Sequence, residues 1–160
     1  MGVTVDNRGI AAVLREIADL LDIKGDNAFR IRSYRMGADS VESHGRDVAE
    51  MVDRGDDLRT IDGVGEGIAG KIKEIVASGE CAFHRELLQE VPGGLLELLE
   101  IPGLGPKGVK AVWTKLGVAS AADLAAAIAD GRFRTLPGVK EKKETRIRKG
   151  LEARRRPPPV

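Results

Sequence analysis

Apolar side chains recur every three or four residues along most of the chain, which is the spacing of one face of an α-helix. The clearest case is the first segment, whose apolar positions are Ile10, Val13, Leu14, Ile17, Leu20 and Leu21. The same spacing, bounded by glycine, proline and serine, predicts further helices over about 26–42, 46–54, 58–78 (after an initial turn), 83–90, 94–99, 106–116, 120–130 and 140–153. No segment alternates apolar and polar residues over a useful length, so the pattern predicts an all-α protein.

Three segments repeat one short motif: an apolar residue, a turn residue, glycine, an apolar residue, and a second glycine or its replacement before a helix. The copies are Ile61–Gly65, Ile101–Gly105 and the degenerate Leu136–Lys140. Each copy predicts two helices joined by a tight glycine turn, which is a helical hairpin. We therefore expect two small helical domains, 1–80 with the first hairpin and 81–156 with the other two, followed by a tail at 157–160.

A glycine hairpin of this kind is suited to binding a phosphate. Glycine permits a positive φ and a close backbone approach, and amides at the start of a helix attract anions. Contacts to phosphates hold a duplex without reading its sequence. The candidate DNA-binding positions are Gly63, Gly65, Gly103, Gly105 and Gly108, with Lys107 and Lys110.

The third copy has Lys140 in place of the second glycine, and we expect it to be mainly structural and not to form the same anion-binding turn. The helix that follows is strongly basic. Its cations are equally consistent with a solvated face and with contacts to a nucleic-acid backbone: Lys142, Lys143, Arg146, Arg148 and Lys149.

Two other glycine-rich motifs are excluded by their context. Gly65–Gly70 and Gly103–Gly108 both match the dinucleotide-binding pattern G-x-G-x-x-G, but neither follows a strand-like segment. Gly65–Lys71 matches the start of a nucleotide-binding P-loop, which requires Ser or Thr next, and the next residue is Ile72.

Charge separates the chain into two parts. Residues 1–131 contain 15 Lys and Arg against 22 Asp and Glu, whereas residues 132–160 contain 11 against 3. A basic end on an acidic body is typical of a protein that binds a polyanion, or of a protein with a solvated tail.

A single cysteine, Cys81, excludes an internal disulfide and fits a reducing cytosol, and no apolar run is long enough to span a membrane. Cys81, His44 and His84 do not form a zinc set.

With these motifs in hand, the chain resembles the N-terminal part of the family X DNA polymerases, most closely the bacterial members. The resemblance covers about residues 5–155 and rests on the hairpins and on the segment Arg32–Arg35. It implies a lyase-like first domain and a fingers-like second domain that together grip gapped or nicked DNA in base excision repair, in the bacterial cytoplasm. Other repair proteins are further candidate partners.

The resemblance also implies a 5′-deoxyribose-phosphate lyase site, the one activity expected of these residues themselves. Lys71 takes the position of the family's nucleophilic lysine, and a lysine amine can form a Schiff base with a sugar aldehyde. Arg30, Tyr34, Arg35 and Arg59 match positions of the phosphate pocket and its surroundings.

The family's hairpins bind Na⁺ or K⁺ through backbone carbonyls, although DNA binding itself is not expected to need a cofactor. The matching carbonyls are those of Arg59, Ile61 and Val64, and of Leu99, Ile101 and Leu104. The aspartates with which the family's polymerase palm holds Mg²⁺ have no counterpart in this sequence, so we do not expect these residues to polymerise DNA.

Two alternatives remain from the sequence. One is a non-enzymatic hairpin module that recruits proteins to DNA or RNA. The other is a protein-interaction domain in which the glycines only shape turns, and the acidic body of residues 1–131 favours it.

Overall fold

The computed structural model describes residues 5–155, and every regular element in that range is helical, which confirms the all-α prediction. The chain divides into two compact units, the first made of the residues up to Asp22 and of Asp26–Glu90, the second of Ile23–Gly25 and the residues from Val91 onward. The predicted tail at 157–160 lies outside the described residues. The helices are α1 Asn7–Lys24, α2 Ala28–Glu42, α3 Val48–Asp53, α4 Glu66–Ser78, α5 Ala82–Glu90, α6 Gly94–Leu98, α7 Gly105–Leu116, α8 Ala121–Ala129 and α9 Glu141–Arg155.

Local capping sets the helix ends of the first unit. The Asn27 side chain accepts hydrogen bonds from the first amides of α2, and the Asp47 carboxylate does the same for α3. Gly79, in the left-handed conformation at φ 79°, ends α4. The apolar faces then meet in an aliphatic core whose buried members include Leu14, Ile17, Val41, Ile72 and Ile75.

Helix α5 belongs to the first unit, so the unit extends to Glu90 rather than to residue 80 as the sequence had suggested. The reason is tertiary contact. The Phe83 ring stacks against Tyr34 of α2 with ring centroids 6.2 Å apart, and His84 Nε2 hydrogen bonds to the Glu16 carboxylate of α1. His84 is therefore engaged with α1, and Cys81 is buried.

The second unit packs α6 to α9 around a core that includes Val109, Val112, Leu124, Phe133 and Ile147. Its tightest backbone contact lies at the start of α6. A Cβ atom on Gly94 would lie 2.4 Å from the Ala119 carbonyl oxygen, so only glycine fits this approach. Ser120 caps α8 by accepting a hydrogen bond from the Asp123 amide at 3.1 Å.

No single helix in residues 5–155 has the length and apolar content needed to cross a bilayer. Helices α7 and α8 reach that length and composition only as a pair, and they are bent by 70° at their junction.

Candidate nucleic-acid interface

The three copies of the glycine motif adopt the same turn. Two successive backbone hydrogen bonds, each spanning three residues, close every copy. In the first copy the Ile61 amide donates to the Leu58 carbonyl and the Val64 amide donates to the Ile61 carbonyl. The equivalent amide-to-carbonyl pairs are Ile101 to Leu98 and Leu104 to Ile101 in the second copy, and Leu136 to Phe133 and Val139 to Leu136 in the third. All six N···O distances are 3.0–3.3 Å. The apolar residue between the two glycine positions is buried in the first two copies and half-buried in the third. The sequence repeat is therefore also a structural repeat.

The first glycine of each copy is required by backbone conformation. Gly63, Gly103 and Gly138 have φ values of 77°, 93° and 80°, in the left-handed region that side chains disfavour. In the first hairpin the approach is also close, because a Cβ on Gly63 would lie 3.3 Å from Met36 Cβ in α2. The turn therefore lies against α2 and leads directly into α4.

The second position of the motif has a weaker conformational requirement, so the lysine of the third copy is compatible with the same turn hydrogen bonds, while its anion binding stays a prediction. Gly65 has φ −92° and ψ −175°, an extended conformation open to any residue, and its missing Cβ would meet no atom within 4 Å. Among the described residues no side-chain-bearing residue has a positive φ, so Lys140 occupies this position without strain. Of the residues at this second position, only Gly105 has a positive φ, 64°, the conformation that favours glycine.

Main-chain amides of the hairpins have no acceptor within the described part of the protein. The residues concerned are exposed, except for the half-buried Gly105, and include Gly63, Gly65, Glu66 and Gly67, then Gly103, Gly105 and Lys107, then Gly138, Lys140 and Glu141. These amides lie at the starts of α4, α7 and α9, where the helix dipole adds positive potential. Each hairpin thus offers the donors that an anion needs.

Lys71 lies on α4 beside the first hairpin, half-buried among aromatic rings. Its Nζ is 5.2 Å from the centre of the Phe83 ring and 6.0 Å from that of Tyr34. The guanidinium carbon of Arg30 is 4.7 Å from the Phe83 ring centre. The structure therefore brings together Lys71, Tyr34 and Arg30 as the sequence proposed, with Phe83 as the shared platform.

Phe83 is the member of this cluster that the sequence analysis did not single out. Its position in a predicted helix is equally consistent with an aromatic ring in the core and with one on the surface, and does not indicate a site. Its rarity was the available signal, since the chain contains three Phe, one Tyr and one Trp.

Two other predicted pocket residues are held by carboxylates. Arg35 donates to Asp19 at 2.9 Å and to Asp22 at 3.1 Å, which ties α2 to α1. Burial acts to lower the pKa of Arg35, but the hydrogen bonds and charges of the two carboxylates outweigh it and raise that pKa. The main role of Arg35 in this structure is thus to link α2 to α1 through these two ion pairs.

Arg59 forms a two-pronged ion pair with Asp57, through Nε at 3.0 Å and a terminal nitrogen at 3.1 Å. The side-chain hydrogen bond raises the pKa of Arg59 and lowers that of Asp57. The pair uses two of the five N–H donors of the guanidinium group, so the other three remain for a phosphate.

The carbonyls predicted to hold a monovalent cation belong to the same turns. Ile61 and Ile101 each accept one hydrogen bond, from Val64 and Leu104. A carbonyl oxygen has two lone pairs, so one remains for a cation in each turn. The cation itself stays a prediction, as do the carbonyls of Arg59 and Leu99. No group of three or more His, Cys, Asp or Glu able to hold a metal occurs within residues 5–155.

Comparison with known proteins agrees with this architecture. A model of the helix-hairpin-helix domain matches residues 5–81, and a model of the SAM-like helix-hairpin-helix tandem matches residues 95–153. The DNA polymerase/3′-5′ exonuclease PolX of Bacillus subtilis (strain 168) is 34% identical over 151 residues, which is 94% of this chain and 26% of that protein. The chain corresponds to the helix-hairpin-helix region of a family X DNA polymerase. It spans about a quarter of the length of that relative.

The two helix-hairpin-helix matches fall onto the two units in turn. The first match ends near the start of α5 and contains one hairpin, whereas the second contains both remaining hairpins and is described as a tandem. The tandem match therefore includes the degenerate copy at 136–140, whose turn is closed by the same pattern of hydrogen bonds.

Proposed function

We propose that the chain binds DNA through its helix-hairpin-helix motifs and holds the backbone of a gapped or nicked duplex without reading its sequence. The observation that carries the proposal is the threefold repetition of one turn whose amides lack an acceptor among residues 5–155. An amide at a helix start donates well to a phosphate oxygen, and contacts of this kind carry no base information. A Na⁺ or K⁺ ion on the turn carbonyls would add a bridge to a phosphate oxygen.

The structure offers a clean substitution for testing the first hairpin. Gly65→Leu places a side chain beside the unbonded amides at a residue with an ordinary φ and no atom within 4 Å of the new Cβ. Gly70→Leu is the matched control, because Gly70 is exposed on the same helix, α4, and is equally open. Both variants are expected to fold, which thermal melting followed by circular dichroism would check.

Fluorescence anisotropy with a labelled one-nucleotide-gapped duplex measures the outcome. A hydrogen bond to a charged group contributes about 1.5–3 kcal/mol, so Gly65→Leu is expected to weaken binding about tenfold or more on every sequence. Gly70→Leu is expected to bind like the unmodified chain. The unmodified chain should lose affinity with salt at a slope of about −0.9 per phosphate contact. A flat salt response, or equal binding by the two variants, would favour the protein-interaction alternative.

We further propose that Lys71 is the nucleophile of a 5′-deoxyribose-phosphate lyase. Three features support this: its family position, its place beside the first hairpin, and the lack of a carboxylate partner for its ammonium group among the described residues. Arg30, over the same Phe83 ring, has only a long 3.6 Å ion pair with Asp26 and is available for the 5′ phosphate.

The reaction would proceed through a Schiff base. The unprotonated Lys71 amine attacks the C1′ aldehyde of the ring-opened sugar, and loss of water forms the C=N bond. Loss of the C2′ proton then breaks the C3′–O3′ bond, and the electron pair leaves with the phosphate oxygen of the downstream strand. Water hydrolyses the remaining imine and regenerates the amine.

Borohydride reduction of the imine tests this step. With a duplex carrying a 5′-deoxyribose phosphate, the unmodified chain is expected to form a covalent adduct and Lys71→Ala is expected to form none. Lys73→Ala is the control, since Lys73 is an exposed lysine two residues along α4. If the unmodified chain is not trapped, or Lys71→Ala is trapped as well, the lyase proposal fails while the binding proposal stands.

A further inference from the structure

A basic groove lies on the second unit between the second and third hairpins. Its volume is about 950 Å³, and the glycines Gly103 and Gly138 form part of its wall. Five cationic side chains and the single carboxylate of Glu141 also line it. The cations are Lys140, Lys142, Lys143, Arg146 and Lys149.

The cations of this groove have no ion-pair partner among the described residues, whereas other arginines of the unit do. Arg134 pairs with Glu144, and Arg154 pairs with Glu100. The unpaired cations at 142, 146 and 149 follow helical spacing along one face of α9. Arg148 lines a different pocket with Glu144. Arg148 thus lies close to carboxylates of α9, whereas the groove holds five cations with one carboxylate.

The groove combines side-chain charge with main-chain donors from two hairpins. The Arg146 side chain lies against the second hairpin, with its Nε and guanidinium carbon 3.7 and 3.8 Å from where a Cβ on Gly103 would be. The amides of Gly103, Gly138 and Lys140 have no acceptor in the described protein. Donors of both kinds therefore line the same depression.

Close packing of α9 against the second hairpin fixes this arrangement. A Cβ on Gly150 would lie 3.1 Å from Ile101 Cγ2 and 3.4 Å from Pro102 Cδ. The absence of a side chain at Gly150 allows the helix to lie directly on the turn. The basic face of α9 is consequently held next to the amides of the second hairpin.

We propose that this groove binds a continuous stretch of DNA phosphodiester backbone, with the third hairpin and α9 acting together with the second hairpin. The inference deepens the proposed function and rests on it. Lys142 to Lys149 span ~10 Å of helix, which is long enough to contact about two adjacent phosphates of one strand, since these are separated by about 3.4 Å in axial rise and by more along the strand itself. A row of cations of that length, beside amide donors, complements a repeating phosphate chain better than a single small anion.

A pair of substitutions on one helix tests the groove in the 160-residue chain. Arg146→Gln removes a groove cation, and Arg148→Gln removes the same charge two residues away, outside the groove. Affinity for the gapped duplex is measured by anisotropy between 50 and 200 mM KCl, after thermal melting has shown that both variants are folded. Arg146→Gln is expected to reduce the salt slope by about 0.9, the value for one phosphate contact. A second removal, Lys142→Gln, should reduce it by a similar amount, and Arg148→Gln should leave it unchanged.

The outcomes separate this inference from the function on which it rests. Equal effects of Arg146→Gln and Arg148→Gln on the salt slope would show that only net charge matters, and would overturn the inference that the groove binds DNA. If Gly65→Leu weakens binding but Arg146→Gln does not, the first hairpin binds DNA and the groove does not. If Arg146→Gln weakens binding of labelled poly-glutamate but not of the duplex, the groove serves an acidic protein and the inference fails. If the unmodified chain binds no duplex, both proposals fail.

Discussion

The contact between Gly94 and the turn before α8 leads to a sharp stability prediction. A Cβ on Gly94 would lie 2.4 Å from the Ala119 carbonyl oxygen and 3.3 Å from Ser120 Cα. Non-bonded heavy atoms pack at about 3.5–4.0 Å, and both neighbours are backbone atoms, so no side-chain rotation relieves the clash. Gly94→Ala must therefore push α6 away from α8, and overpacking of this kind costs about 1–3 kcal/mol.

The adjacent residue supplies the control. Gly93 has φ −60° and ψ −29°, and its Cβ would meet no atom within 4 Å. Gly93→Ala should therefore stabilise the fold by about 0.4–1 kcal/mol, because it restricts the unfolded chain. Because both variants restrict the unfolded chain, that contribution cancels, and their unfolding free energies should differ by the cost of the clash, about 1–3 kcal/mol.

Urea denaturation followed by tryptophan fluorescence measures this difference for the second unit, which contains both glycines. Trp113 is the only tryptophan, and it lies on α7 of the same unit as both glycines. Its emission therefore reports unfolding of the second unit whether or not the first unit unfolds at the same denaturant concentration. A midpoint for Gly94→Ala equal to or above that of Gly93→Ala would refute the reasoning from the close contact.

Two further predictions concern charge. Arg134→Ala leaves the buried Glu144 carboxylate without its partner, so we expect it to lower the urea midpoint of the second unit. Arg132→Ala breaks an exposed pair and should change that midpoint little, and equal midpoints for the two variants would contradict this reasoning. The hydrogen bond from Arg59 lowers the pKa of Asp57, so this pair stabilises the folded state above the ordinary Asp pKa and the contribution is lost as the pH falls through the folded value. An NMR titration should show the Asp57 pKa rise towards its ordinary value in Arg59→Gln, and an unchanged pKa would contradict the assignment.

Local signals explain why the sequence predicted the helices well. Ser120 and Asn27 cap the starts of helices, and Gly79 and Gly117 end α4 and α7 in the left-handed conformation. These effects involve only a few neighbouring residues, so they are readable without knowledge of the fold. The glycine repeat is equally local, since its turn is closed by hydrogen bonds between residues three apart.

The site was less predictable because its members depend on distant partners. The carboxylates that engage Arg35 come from Asp19 and Asp22, one helix earlier, and the sequence does not show that pairing. Phe83 joins Lys71 only because α5 folds back onto α2. Ion pairing with a carboxylate decides whether a cationic side chain is available to a ligand, and that pairing depends on the tertiary structure.

The degenerate third hairpin shows that the glycine pattern alone does not reveal which glycine positions the backbone conformation requires. The motif has two glycine positions, but only the first has a positive φ in all three copies. Once the second position is free to carry a side chain, a lysine there adds charge without changing the turn, and Lys140 does so at the edge of the basic groove. The first hairpin carries Asp62 and Glu66, both exposed, whereas the third carries Pro137 and Glu141 at the equivalent positions. The third hairpin thus has one carboxylate fewer and one lysine more than the first, a charge balance that favours an anion, because like charges repel it and cations attract it.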